Sequence, residues 1–285
     1  YIAPLHTTTF QLPHADTQNF CGDPPFGALE GRLKETEKLS VLITGGGSGI
    51  GAGIAKRFVE KGALVTICGR REDTLLSLAE SLGENCMAKA GDITFENDRK
   101  DILEAALSHG GKLDVLVNNA GNIYRGDIDQ LQQKPLMDIF NTNVIAGMLL
   151  SGEAKNDLIK TEGSILFVGS VHTRRAFPGS SAYAATKGAI EAITKVLAAE
   201  LGPIKIRVNC IVPGAVPTQI YQRAGLMTEE ESRNRLESLA PAHALGRIGT
   251  DEEIAEAAEY LALSEWTTGA ILVVDGGLSL GITNA

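Results

Sequence analysis

The strongest constraint on this chain is a rhythm that begins near residue 40. Short apolar runs alternate with stretches whose apolar residues recur at helical spacing. Val41-Leu42-Ile43 opens the pattern and stops at a glycine cluster. Ile50, Ile54, Ala55, Phe58 and Val59 then fall on one stripe of an amphipathic helix that Gly62 ends. The cycle predicts further strands at 63–68, 86–90, 113–117, 165–168, 206–211 and 271–274. It predicts helices at 73–81, 96–108, 135–155, 183–201 and 251–263, with Pro135 in a first turn and Asp251 as an N-cap. Seven apolar strands alternating with six helices read as βαβ units around a buried parallel sheet, an α/β fold. No second compositional regime follows residue 40, so 39–285 reads as one domain. Residues 215–249 interrupt the rhythm with Pro217, Gly225, Pro241, Gly246 and Gly249 around a helix-prone acidic stretch, 228–239. A long insertion after a strand is where open α/β sheets bind ligands, and a mobile lid is expected there. Residues 1–38 show no period and read as an N-terminal arm.

Composition narrows the partners. With 26 Lys and Arg against 35 Asp and Glu, the formal charge is −9, so neither nucleic acid nor an anionic membrane surface is expected to bind. No apolar run reaches the roughly 20 residues of a bilayer span. Residues 1–38 carry no charged region followed by an apolar run of the secretory kind. The cysteines (Cys21, Cys68, Cys86, Cys210) have neither disulfide-like nor zinc-like spacing, so no metal is expected and a cytoplasmic location fits.

The glycine cluster carries the first chemical signal. Thr44-Gly45-Gly46-Gly47-Ser48-Gly49-Ile50-Gly51 sits between a strand and a helix. Glycines there permit a tight turn and close approach of a pyrophosphate, and the helix start aims free N–H groups at it. The spacing departs from GxGxxG, and no GK[ST] of a Walker loop follows.

The pattern TGxxxGxG, with Asn118-Asn119-Ala120-Gly121 and Tyr183-Ala184-Ala185-Thr186-Lys187, resembles the short-chain dehydrogenases/reductases. Ser170, 13 residues before Tyr183, agrees, as do Pro213-Gly214-Ala215-Val216-Pro217-Thr218 and Val274-Asp275-Gly276-Gly277. The resemblance spans about residues 39–281 and is to the compact one-domain subclass, similar to the 3-oxoacyl-(acyl-carrier-protein) reductases. It implies a single Rossmann-type, doubly wound domain with a seven-stranded parallel sheet, and hydride transfer between a nicotinamide cofactor and a small carbonyl/alcohol substrate. It makes Tyr183 the acid/base and Lys187 the cation that favours the phenolate and holds the nicotinamide ribose. A free tyrosine titrates near ~10, which is why such help is needed. Ser170 would hydrogen-bond the substrate oxygen, and Asn143, through a water on its backbone carbonyl, would complete a proton relay that calls for a local irregularity in its helix.

The same resemblance places the cofactor against Gly45, Gly47, Ser48, Gly49, Ile50 and Gly51, then Asn118, Ala120 and Gly121, then Pro213, Gly214, Val216 and Thr218, besides Tyr183 and Lys187. Asp92 and Ile93 would face the adenine. NAD-preferring members carry an Asp at the end of the second strand; Gly69 stands there, followed by Arg70, which points to NADP(H). Arg71 reads as a solvated helix-start charge. Tyr124, His172 and Phe177 are candidate pocket walls; Arg174 and Arg175 are possible handles for an anionic substrate, or a solvated loop. Family members assemble as homotetramers or homodimers, and the alanine-rich helix at 183–201 suits such packing. Two other readings stay open: an NAD-dependent alcohol dehydrogenase, and a non-catalytic nucleotide-sensing regulator.

Overall fold

The computed structural model describes residues 39–281; the arm at 1–38, with Cys21, lies outside the described residues. The strands are β1 Ser40–Thr44, β2 Leu64–Gly69, β3 Cys86–Ala90, β4 Val115–Asn118, β5 Ser164–Val168, β6 Arg207–Pro213 and β7 Ile271–Val274. They form one parallel sheet in the order β3-β2-β1-β4-β5-β6-β7. The central strands are apolar on both faces because both faces are covered. Side chains alternate accordingly: Val41 and Ile43 enter one core, with Ile54, Phe58, Ile254 and Leu261, while Leu42 enters the other, with Ile102, Leu150, Leu158 and Ile190.

The first core is closed by α1 Gly49–Glu60, α2 Glu72–Leu82 and α10 Asp251–Leu263. The second is closed by α3 Glu96–Gly110, α5 Ala146–Glu153, α6 Lys155–Thr161 and α7 Ser181–Leu201. The chain winds from β1 outward to β3, then returns to place β4 on the other side of β1. That reversal opens a crevice at the carboxyl ends of β1 and β4, where the glycine loop and residues 118–121 meet.

Three expectations are corrected. The helix expected at 135–155 is α4 Gln133–Phe140, one π turn over Asn141–Ile145, then α5 and α6. A 3.6-residue apolar period cannot register one inserted residue; here the π turn is held by a tertiary contact, since Asn143 Nδ2 donates to the Asn122 carbonyl (2.9 Å) and to Thr186 Oγ1 (3.1 Å). The N-cap of α10 is Thr250, not Asp251: Thr250 Oγ1 accepts from Glu253 N (3.3 Å) and Glu253 Oε2 accepts from Thr250 N (2.9 Å). Ala198 of the alanine-rich helix is buried in the core, so the outward stripe is Ala185, Ala192 and Ala199 with Gly188 and Val196. Within 215–249 lie α8 Ile220–Arg223 and α9 Glu229–Leu239, whose acidic first turn follows the capping box of Thr228 and Glu231.

The far end of the sheet is fastened by one buried cation. Arg207, at the start of β6, donates through Nη1 to the Leu261 carbonyl (2.6 Å) and through Nη2 to that of Ala262, satisfying carbonyls at the end of α10. Arg207→Met keeps the side-chain volume but strands those carbonyls. It should cost about 3 kcal/mol in urea denaturation, at the scale of hydrogen bonds to a charged donor. An unchanged midpoint would show that the carbonyls find other partners.

Candidate active site

The crevice is built by lacing two loops together. Asn119 Nδ2 donates to the carbonyls of Thr44 (3.0 Å) and Gly45 (3.1 Å), while the amides of Asn119 and Ala120 donate to Thr44 Oγ1 (3.1 and 3.0 Å). Gly45 takes a left-handed conformation (φ +64°). A Cβ on Gly51 would stand 2.4 Å from the Gly45 carbonyl, so only glycine lets α1 sit this close to the loop. Ser48, the N-cap of α1, makes no side-chain cap bond, and the first turn carries no acidic residue. Its free amides and positive end therefore remain available to an anion.

A groove runs outward from this loop between β1, β2 and β4. Gly45, Gly47, Ser48, Gly69, Arg70, Arg71, Asp92, Ile93, Ala120, Gly121, Thr142 and Arg223 line it. Three guanidinium groups from two segments gather here. Arg70 Nη1 lies 3.9 Å from Asp92 Oδ2. Arg71 donates to Ser48 Oγ (3.0 Å) and to Gln219 Oε1 (3.2 Å). Arg223, on α8, is held below the ordinary arginine range by burial first and then by Arg71 and Arg70. Their mutual repulsion is relieved by an anion set between them, so the groove can hold a phosphate-bearing dinucleotide. The loop carrying Asp92 and Ile93 is pinned from beneath: buried Arg99 donates to the Ile93 carbonyl (3.0 Å) and pairs with Glu153 (2.9 Å).

At the inner end of the crevice the polar side chains are buried. Ser170 follows β5, Tyr183 and Lys187 stand one turn apart on α7, and Asn143 occupies the π turn beside them. Lys187 Nζ donates to the Val168 carbonyl (2.7 Å) and lies 5.6 Å from the Tyr183 ring centre. Burial pushes the Tyr183 phenol up to about 12, against the downward pull of its hydrogen bond with Ser170. Burial likewise lowers Lys187 to about 8. Desolvation, rather than attraction to Lys187, thus dominates the phenol, which keeps its proton at neutral pH. His172 Nδ1 lies 3.0 Å from Ser170 Oγ, with its ring tilted on Phe177 and edge-on to Tyr183.

The cleft above these residues is walled by Val171, His172, Phe177, Ile220, Tyr221, Leu236, Leu239 and Leu278, with Arg235 among them. Gly45, Ser48, Ile50, Ala120, Gly121, Pro213, Gly214, Val216 and Thr218 border it as the sequence suggests. Other expected residues sit elsewhere. Asn118 turns away from the cleft and donates to Ser151 Oγ (3.0 Å) beneath α5; Asn119 is the residue that faces it. Tyr124 is not a wall: its hydroxyl accepts from Gln132 N (2.9 Å) at the start of α4. Gly49 and Gly51 shape the turn from behind, Gly49 against Thr218. The Asn143 side chain is engaged with Asn122 and Thr186, whereas the relay role implied for Asn143 belongs to its backbone carbonyl and not to this side chain. Arg174 pairs with Glu191 (2.6 Å) and Arg175 donates to the Leu278 carbonyl (3.1 Å), so neither is a free handle. Arg71, Arg223, Arg235 and Tyr221 went unselected in the sequence because only packing brings them to the crevice; the one signal for Arg71 is its place beside Arg70, and for the other three it is basic or aromatic character within the 215–249 insertion.

Burial first, then Arg125, Arg235 and Lys187, depress His172 to about 4, so folding keeps neutral an imidazole that the unfolded chain protonates below 6.5. Its stability contribution is present above pH 6.5 and is lost as pH falls toward 4. Between pH 7 and 5 the wild type should lose about 2 kcal/mol more than His172→Gln in urea melts, at about 1.4 kcal/mol per pKa unit. Parallel pH dependence in the two proteins would mean that the imidazole titrates freely.

The family model described as enoyl-(acyl carrier protein) reductase matches residues 45–279. The 3-oxoacyl-(acyl-carrier-protein) reductase of Chlamydia muridarum is 35% identical over 247 residues, covering 84% of this chain and 97% of that protein. The L-fucose dehydrogenase of Bos taurus is 35% identical over 250 residues, 85% of this chain and 89% of that one. The crystal structure of 3-ketoacyl-(acyl-carrier-protein) reductase from Brucella melitensis, complexed with NADH, superposes with a TM-score of 0.77 at 35% identity, over 85% of this chain and 99% of that one. With its motifs, its sheet order and these relatives in agreement, the chain belongs to the short-chain dehydrogenase/reductase family of hydride-transferring oxidoreductases.

Proposed function

We propose that this chain reduces a small ketone or aldehyde with NADPH, with Tyr183 as the proton donor. The observation that carries this reading is the buried, protonated Tyr183 set between Ser170 and Lys187, in a crevice whose outer groove gathers Arg70, Arg71 and Arg223. A bound nicotinamide supplies the hydride. Ser170 Oγ and Tyr183 Oη hold the substrate oxygen, which draws electron density off the carbonyl carbon. As that oxygen gains charge, Tyr183 releases its proton to it. Lys187, fixed by Val168, offers a positive charge to the resulting phenolate, and its lowered affinity for protons suits it to pass one on. The π turn at Asn143 closes the back of this cluster through Thr186, whose hydroxyl donates to the Tyr183 carbonyl (2.7 Å).

Gly69 at the end of β2 leaves no carboxylate against a 2′-phosphate, and Arg70 and Arg71 supply donors to grip one. The neighbour solved with NADH keeps an NAD-dependent dehydrogenase as the second reading. We read 39–285 as one domain, with 215–249 as a lid whose helices α8 and α9 wall the cleft. Exposed Met137, Ile145, Met148 and Leu149 on the α4–α5 segment and Val196 on α7 support a homotetramer or homodimer. Buried free Cys68, Cys86 and Cys210 support a cytoplasmic setting.

The test is oxidation of NADPH and of NADH against ketones, quinones, acyl thioesters and sugar-derived carbonyls. NADPH should be preferred, and Tyr183→Phe should lower kcat about 10²- to 10⁴-fold, the range for a lost proton donor. Arg70→Ala together with Arg71→Ala should raise the KM for NADPH about tenfold or more and leave that for NADH nearly unchanged. Faster turnover with NADH would transfer the reading to the second alternative.

A further inference from the structure

The cleft has a charge that the mechanism above does not use. The chain is acidic overall, at −9, yet among the described residues no Asp or Glu lines this cleft, whereas Lys187, Arg223 and Arg235 do. Lys187 belongs to the proton-donor cluster, and Arg223 also lines the nucleotide groove. Arg235 is left over. It stands on α9 among Leu236, Leu239 and Tyr221, on the substrate side.

Two features argue that Arg235 is aimed rather than merely placed. Glu231, one turn earlier on the same helix, is turned to the capping box, where its Oε2 accepts from Thr228 N (2.7 Å), and it makes no ion pair with Arg235. The guanidinium carbon lies 5.4 Å from the Tyr221 ring centre. Stacking occupies a guanidinium's flat face and leaves its N–H edge free for an acceptor. A guanidinium without an acidic partner, held in an apolar cleft, is costly when no ligand is bound and is satisfied by one anionic, oxygen-bearing group.

We propose that the substrate carries a carboxylate in addition to its carbonyl, with the Arg235 N–H edge binding that carboxylate. The remaining walls, Phe177, Leu236, Leu239 and Leu278, enclose the apolar chain between the two groups. This rests on the reductase reading and names the substrate class of the same site. Arg174 and Arg175, which the sequence offered as handles for an anionic substrate or as a solvated loop, are both occupied.

The experiment measures NADPH oxidation on straight-chain oxo-acids from pyruvate to 5-oxohexanoate, each beside its methyl ester. The ladder of lengths finds the spacing between ketone and carboxylate. For at least one length the acid should exceed its ester in kcat/KM by about tenfold or more, mainly through KM. Arg235→Gln should bring that ratio toward unity and Arg235→Lys should restore part of it, while Arg233→Gln, at an exposed position on the same helix, should keep the wild-type ratio. Esters equal to acids at every length, or a ratio that survives Arg235→Gln, would overturn the proposal while leaving a working reductase. Failure to bind NADPH, read by its fluorescence, would instead bring down the reductase reading itself.

Discussion

Everything in this molecule depends on a sheet whose strands all run the same way. A parallel strand leaves its partner at the far end, so each connection must return over a face, and both faces are buried by those returns. The same geometry collects every strand's carboxyl end on one edge. The glycine loop after β1, Arg70 after β2, Asp92 after β3, Asn119 after β4, Ser170 after β5 and the PG turn after β6 therefore meet at one rim, although they are far apart in the chain. The crossing from β3 back to β4 then divides the rim and opens the crevice between the two windings.

Within that crevice, solvent exclusion does more than charge. Tyr183 keeps its proton because its surroundings cannot solvate a phenolate, and Lys187 and His172 lose affinity for protons for the same reason. In the inner cleft the charges that remain are positive and are set in an acidic chain, so the local field there opposes the net charge. Net charge governs what the whole surface repels; the lining governs what the cleft admits.

Much of the fold was legible because its signals are local. Apolar runs, helical stripes and glycines marked the strands and most helices to within a few residues. Where the reading failed, the deciding contact lay elsewhere in the chain. The apolar period ran one helix over 135–155, and the irregularity at Asn143 came only from the family resemblance; the π turn at 141–145 is held by Asn143 against Asn122 and Thr186, and a hydrophobic period carries no trace of that. Thr250 displaced Asp251 as cap because either residue type can fill the position, and the reciprocal bond with Glu253 decides between them. Asn118 and Asn119 are adjacent, and strand alternation points one beneath α5 and the other at Gly45.

By itself, then, the sequence determined a single parallel α/β sheet, a phosphate-sized glycine turn, and a Tyr-Lys pair one helical turn apart, because each depends on residues that are neighbours along the chain. The tertiary structure alone decided which charges face which space. Arg174 and Arg175, a conspicuous basic pair, are turned to Glu191 and the Leu278 carbonyl, whereas Arg235, on the otherwise acidic helix α9, lines the cleft. A side chain's partner is set by what packing brings within about 3 Å of it, and that distance is not written in sequence spacing.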